Sequence, residues 1–148
     1  MVNMKNLYVY NETNFLITKS IVHKIISAIK KEIGFSIFSL ELNFVTKDII
    51  TQVNTKFLGH KYATDVITFN YSDESNNFEG EIFICPAVAK ENAKKFKVSF
   101  DDELRRLIIH GFLHLIGYDD REKKKKQEMK VAEDYFVIKT KRIGRIIK

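Results

Sequence analysis

The stretch that decides how this chain folds is Leu107-Ile108-Ile109-His110-Gly111-Phe112-Leu113-His114-Leu115-Ile116-Gly117-Tyr118-Asp119-Asp120. Successive residues of an α-helix are rotated by about 100°, so the polar residues of this helix gather in an arc of about 80°. They are Glu103, Arg106, His110 and His114, and nearly all the remaining positions up to Ile116 are apolar. We expect this helix to lie inside the protein, with its narrow polar stripe facing a cleft or a partner.

The two histidines of the stripe are four residues apart, a spacing that lets two imidazoles bind one metal ion. A third ligand has to come from beyond the helix, because in a continuous helix Asp120 would lie about 15 Å from His110 along the axis. Gly117 permits a left-handed turn, so the chain can double back and bring Asp119 or Asp120 to the site. The alternative is a pair of core histidines that hydrogen bonds satisfy.

A site with three protein ligands keeps one position open for water. Zinc lowers the pKa of such a water to about 7 and makes hydroxide available at neutral pH. The spacing His-x3-His-x5-Asp resembles that of zinc proteases. Proteases with a His-Glu-x-x-His motif, however, have their general base where Gly111 stands, and glycine cannot accept a proton. The pattern therefore predicts a metal-dependent hydrolase and disfavours a metallopeptidase.

The rest of the chain predicts a single α+β domain over residues 1–148 with a small mixed sheet, in the order β-α-β-α-β-β-α-α-α. The predicted strands are 7–10, 38–45, 66–71 and 81–84, with a loop at 72–77. Helices are expected to start at Thr18, Thr46, Pro86 and Ser99 and near Glu122. The segment Lys139 to Lys148 is rich in lysine and arginine, and we expect it to form a flexible basic arm.

Composition bounds the function only loosely. The net charge of +6 favours binding to nucleic acid, although the lysine-rich composition also fits the bias of an AT-rich genome. The run Lys123 to Lys126 could follow a phosphate backbone or simply form a solvated helix face. A single cysteine, Cys85, indicates a reducing compartment, and the N-terminus shows neither a signal peptide nor a membrane span. We expect a soluble cytoplasmic protein.

The stretch from His110 to Asp119 resembles the signature of the YbeY family of bacterial endoribonucleases, which act in ribosomal RNA maturation. Two further blocks agree with that family in order and spacing, Thr64-Asp65-Val66-Ile67-Thr68-Phe69 and Gly80-Glu81-Ile82-Phe83-Ile84, and Asn54, Met129 and Glu133 agree more weakly. The resemblance implies a mixed four-stranded sheet with about five helices and one zinc-type site on a buried helix. It also implies action on single-stranded RNA of the small ribosomal subunit.

The sequence departs from the family pattern at the third metal ligand, where the family commonly has a histidine and this chain has Asp120. Asp120 keeps the register of that histidine, so we expect His110, His114 and Asp120 to hold one divalent metal ion. Zinc is the first expectation, and the harder carboxylate could shift the preference toward iron or manganese. Asp119 is expected to have a supporting or turn-forming role.

A second departure lies at Leu58, where the family typically has an arginine that contacts phosphate. His60 and Lys61 could replace this cation or be solvated loop residues, and Arg106 of the polar stripe is a further candidate RNA contact. Thr64 and Asp65 could orient a ligand beside the metal or merely form a turn.

No general base is evident from the sequence. Thr64, Asp65 and Asp119 are therefore only weak candidates for a catalytic role. The loss of the arginine at Leu58, together with the basic tail, motivates an alternative hypothesis: a non-catalytic ribosome-assembly factor with a structural metal.

Overall fold

The computed structural model describes residues 4–73 and 76–148. The strands are β1 (Leu7–Asn11), β2 (Ser36–Phe44), β3 (Val66–Asn70) and β4 (Asn77–Ile84). The helices are α1 (Lys19–Ile33), α2 (Lys47–Leu58), α3 (Pro86–Phe96), α4 (Phe100–Leu115) and α5 (Lys123–Lys141). The predicted α+β domain and its order of elements are confirmed.

The four strands form one mixed sheet in the order β1-β2-β4-β3. The strands β1, β2 and β4 are parallel, whereas β3 runs antiparallel to β4. Helices connect the parallel strands, because a parallel pair needs a crossover, while β3 and β4 follow each other through a short connection. The register pairs Leu40 of β2 with Leu7 and Gly80, and Thr68 of β3 with Ile82.

Helix α4 packs against the inner face of the sheet, as its apolar pattern predicts. Its residues Leu104, Ile108, Ile109, Phe112, Leu113 and Leu115 are all 0% exposed. Gly111 allows a close approach to the sheet, since a Cβ atom built there would lie 3.0 Å from Cγ2 of Ile82 and 3.2 Å from Cγ2 of Val66. The glycine thus lets the two histidines sit directly above the β3–β4 edge of the sheet.

The boundaries of the last two strands differ from those expected. Strand β3 ends at Asn70 rather than Tyr71, and β4 begins at Asn77 rather than Glu81. Three of the first four residues of β4 are polar or glycine, and this segment becomes a strand because it pairs with the first half of β2. The predicted loop 72–77 includes Glu74 and Ser75, which lie outside the described residues.

The expectation of a flexible basic arm at 139–148 is wrong. Helix α5 continues to Lys141, and the segment after it is held against α4. The carboxylate of Asp101 accepts hydrogen bonds from the amides of Ile146 and Ile147 at 2.8 and 2.9 Å, and Ile146 is fully buried. Arg105, itself 1% exposed, donates to the carbonyl oxygen of Thr140 at 2.8 Å. Two charged residues of α4 thereby satisfy the backbone of the C-terminal segment.

Across the described part of the chain, no helix combines the length and the apolar character that crossing a membrane requires.

Candidate functional site

The end of α4 brings the predicted metal ligands to one cavity. The helix stops at Leu115, and Gly117 adopts a positive φ of 115°. The amide of Tyr118 then donates to the carbonyl oxygen of Leu113 at 3.0 Å, which turns the chain back along the helix. This turn places Asp120 at the cavity that His110 and His114 also line.

The cavity has a volume of about 400 Å³ and opens beside the β3 edge of the sheet. Its walls are formed by Asn54, Leu58, His60, Tyr62, Thr64, Val66, Ile67, Thr68, His110, His114 and Asp120. A larger groove of about 690 Å³ lies between α1 and α5, but its lining is mostly apolar and contains no histidine. The smaller cavity is therefore the candidate site, because it is where polar groups converge.

Hydrogen bonds fix the orientation of both histidines. Nδ1 of His110 lies 2.7 Å from Oε2 of Glu133, and Nδ1 of His114 lies 3.1 Å from the carbonyl oxygen of Tyr118. A carbonyl oxygen or an ionised carboxylate can only accept, so each Nδ1 carries the proton and each Nε2 of the neutral ring keeps a free lone pair. Metal-binding histidines typically have this arrangement, with a carboxylate or carbonyl oxygen behind the ring.

Glu133 contacts the candidate site, and the sequence reasoning did not assign it a role. It lies on α5, and its side chain is only 12% exposed. The buried residues of that helix, Met129, Glu133, Phe136 and Thr140, recur at helical spacing. A carboxylate within such a buried stripe is the sequence signal that could have identified it, because a buried charge requires a partner.

The contact between His110 and Glu133 affects the electrostatics of the site. The hydrogen bond that His110 donates to Glu133 raises the pKa of His110 above its ordinary value, against the opposing effect of burial. Burial is also the main cause that raises the pKa of the neighbouring Glu103, with the charge of Asp65 adding to it. A proton and a metal ion would therefore compete for His110 as the pH falls.

Two imidazoles and a carboxylate are suitable ligands for a divalent cation. The side chains of His110, His114 and Asp120 line one cavity but do not lie close enough together to hold an ion. Among residues 4–73 and 76–148, no three His, Cys, Asp or Glu side chains lie close enough together to hold a metal ion. Asp120 is exposed, and its carboxylate accepts no hydrogen bond from the described residues.

Asp119 is turned away from the cavity and stabilises the loop. Its carboxylate accepts hydrogen bonds from the backbone amide of Arg121 at 2.9 Å and from the guanidinium of the same residue. These contacts lower the pKa of Asp119 to about 2. The structure thus separates the two aspartates, with Asp120 at the cavity and Asp119 in a turn.

The other candidate residues occupy different places. Thr64 lines the cavity. The carboxylate of Asp65 instead accepts a hydrogen bond from Nδ2 of Asn92 at 3.1 Å.

The RNA-binding candidates are also separated. His60 and the exposed Leu58 line the cavity, and Lys61 is an exposed residue of the same loop. Arg106 donates to Asp134 at 2.9 Å and to Glu133 at 3.4 Å, so its guanidinium is engaged by carboxylates of α5.

Comparison with known proteins identifies the family of this chain. The family model described as endoribonuclease YbeY matches residues 6–141. The chain belongs to the YbeY family.

Curated YbeY relatives match most of the chain. The endoribonuclease YbeY of Chlorobaculum tepidum is 37% identical over 131 residues, covering 88% of this chain and 95% of the relative. That of Thermotoga neapolitana is 41% identical over 122 residues, covering 82% and 78%. The YbeY protein of Karelsulcia muelleri is 46% identical over 102 residues, covering 68% and 72%.

A solved structure supports the fold. The solution structure of a protein from Thermotoga maritima aligns with a TM-score of 0.65 and 31% sequence identity, over 90% of this chain and 88% of that one. The resemblance stated from sequence motifs is therefore confirmed, as is the prediction that the chain is a hydrolase.

Proposed function

We propose that this protein is a metal-dependent endoribonuclease that cleaves single-stranded ribosomal RNA during maturation and quality control of the small ribosomal subunit, in the cytoplasm. The observation that carries the proposal is the meeting of His110, His114 and Asp120 at one cavity, with both Nε2 atoms unprotonated in the neutral rings. Membership of the YbeY family supports the reaction class, and the net charge of +6 favours a polyanionic substrate.

His110, His114 and Asp120 would hold one divalent metal ion, with zinc as the first candidate. When bound, such an ion supplies an activated water and offsets the negative charge that develops on the phosphate. Glu133 and the carbonyl oxygen of Tyr118 keep the two rings oriented and their tautomers fixed. Arg106 contributes indirectly, since it holds Glu133 in place.

The walls of the cavity are suited to binding the RNA backbone. The hydroxyl of Thr64 can donate to a phosphate oxygen, and His60 can contact phosphate in place of the arginine that Leu58 replaces. Lys61 lies next to His60 in the chain and adds a positive charge at the rim. These contacts would position a phosphodiester near the metal ligands.

A metallopeptidase is disfavoured on steric grounds. The Cβ of any side chain at position 111 would approach Ile82, Val66 and Thr68 within 3.4 Å. The glutamate that zinc proteases of the His-Glu-x-x-His type use as a base is absent here, and a side chain at this position would crowd those three side chains.

A non-catalytic ribosome-assembly factor is the second candidate, and Leu58 favours it. This side chain is 49% exposed and lines the cavity at the position of the family's phosphate-binding arginine. In that case the metal would be structural, and association with the small subunit would survive loss of the ligands.

Cleavage of single-stranded ribosomal RNA fragments by the purified protein distinguishes the two. We expect His114→Ala to abolish cleavage, while His23→Gln, which changes a histidine of α1 outside the cavity, retains it. Equal cleavage by wild type and His114→Ala would refute the proposal. Absence of cleavage by the metal-loaded wild type, with retained binding to the small subunit, would favour the assembly factor.

A further inference from the structure

We propose that Tyr62 and His60 form a platform on which an unpaired RNA base stacks at the mouth of the cavity. This inference rests on the proposed function, because it names the part of the substrate that the site recognises. It assigns the loop 59–62 between α2 and β3 to binding of a nucleobase rather than to the chemistry.

Hydrogen bonds hold the backbone of this loop. Gly59 ends α2 with a positive φ of 73°, and the amide of His60 donates to the carbonyl oxygen of Asn54 at 3.2 Å. The side-chain amide of Asn54, a residue only 2% exposed, donates to the carbonyl oxygen of Tyr62 at 3.0 Å. The hydroxyl of Thr55 also donates to the carbonyl oxygen of His60 at 3.1 Å. Both platform residues are thereby anchored to α2 through their own backbones.

The two rings lie beside each other and face a ligand-sized space. Their centroids are 5.4 Å apart with an interplanar angle of 39°, and both side chains line the cavity with His110 and His114. Tyr62 is nevertheless 56% exposed. An aromatic ring held on an anchored loop, with much of its surface open, is a suitable surface for stacking by a base.

Charge favours a nucleotide over a purely apolar ligand. Lys61 is exposed between the two rings in the chain and forms no salt bridge with the described residues. An ammonium group next to a stacked base can contact the phosphate of the same strand. The neighbouring Leu58 supplies apolar surface where the family has a cation, so binding here depends more on stacking and less on charge.

The platform would also give this protein a preference for unpaired RNA. Bases in a duplex are stacked on each other and have no free face, whereas bases of a single strand can turn outward onto an aromatic side chain. We therefore expect Tyr62 to contribute to binding of single strands and not of duplexes.

The test is a titration of fluorescently labelled RNA in the presence of EDTA, which prevents metal-dependent cleavage, with anisotropy as the readout. We expect Tyr62→Ala to raise the Kd for a single-stranded oligonucleotide about tenfold and Tyr62→Phe to change it less than about twofold. Tyr135→Ala is the matched control, because it removes a tyrosine of α5 that is 49% exposed and lies outside the cavity. Binding of a duplex of the same sequence should not respond to any of these changes.

The outcomes separate this inference from the proposed function. If wild type binds and cleaves single-stranded RNA while Tyr62→Ala binds it equally well, the platform is refuted and the nuclease stands. An equal loss in Tyr62→Ala and Tyr135→Ala also refutes the platform. If the metal-loaded wild type neither binds nor cleaves RNA, both ideas fail.

Discussion

Replacing Glu133 by glutamine should weaken metal binding without removing a ligand. The carboxylate of Glu133 lies 2.7 Å from Nδ1 of His110 and is largely buried, so its charge acts on the imidazole with little screening by water. Glutamine preserves the size of the side chain and an acceptor oxygen but removes the negative charge. A hydrogen bond to a charged partner contributes about 1.5–3 kcal/mol, compared with about 1 kcal/mol for a neutral one.

The difference corresponds to roughly a tenfold loss of metal affinity, within the range of about 10- to 100-fold that loss of such a supporting partner typically causes. The assay is a competition titration of zinc against a chromophoric chelator at pH 8, where protons compete less for His110 than they do at lower pH. Asp134→Asn is the matched control, because Asp134 also contacts Arg106 but makes no contact with His110.

The pH dependence provides an internal check. Because Glu133 is the main cause that raises the pKa of His110, Glu133→Gln should lower that pKa and reduce competition by protons. The gap in zinc affinity between wild type and variant should therefore narrow as the pH falls. An unchanged affinity in Glu133→Gln at pH 8, or an equal loss in Asp134→Asn, would refute the role given to this pair.

Three further predictions follow from the packing and the charges. Gly80→Ala should destabilise the fold by about 1–3 kcal/mol in urea denaturation, because its Cβ would collide with the backbone carbonyl oxygen of Phe69, and a free energy of unfolding equal to wild type would contradict this packing. Ile146→Ala should lower the free energy of unfolding by about 2–5 kcal/mol, because the side chain is fully buried. Ile138→Ala, which changes a side chain that is 75% exposed, should lower it by less than about 0.5 kcal/mol. Similar losses in the two variants would show that the C-terminal segment is not docked. In metal-free protein, the pKa of His110 is raised by its ion pair with Glu133. This ion pair therefore stabilises the fold fully below about pH 6.5, the pKa of histidine in the unfolded chain, and the stabilisation is lost as the pH rises through the pKa of His110 in the folded protein. Thermal melts at a series of pH values should show this loss of stability with rising pH in wild type, whereas His110→Asn should not show it.

The helix α4 and its turn were predictable because their signals are local. Apolar periodicity identified a buried helix, and Gly117 marked the point where the chain reverses. These features depend on residues within a few turns of each other, so the sequence pattern carries them directly.

Features that depend on distant residues were missed. The first half of β4 is a strand only because it pairs with β2, and its polar residues and Gly80 hide that role. The basic tail suggested a flexible arm, since its charges conceal the burial of Ile146 and the hydrogen bonds that its backbone amides donate to Asp101. Glu133 lies 23 residues from His110, and no local spacing connects the two.

The metal content of the purified protein tests the central claim most directly. Elemental analysis of wild type, His114→Ala and Asp120→Ala, each desalted after loading with zinc, should give one ion per chain in wild type and a large loss in both variants. A wild type that retains no divalent metal would contradict the account, as would full occupancy in either variant.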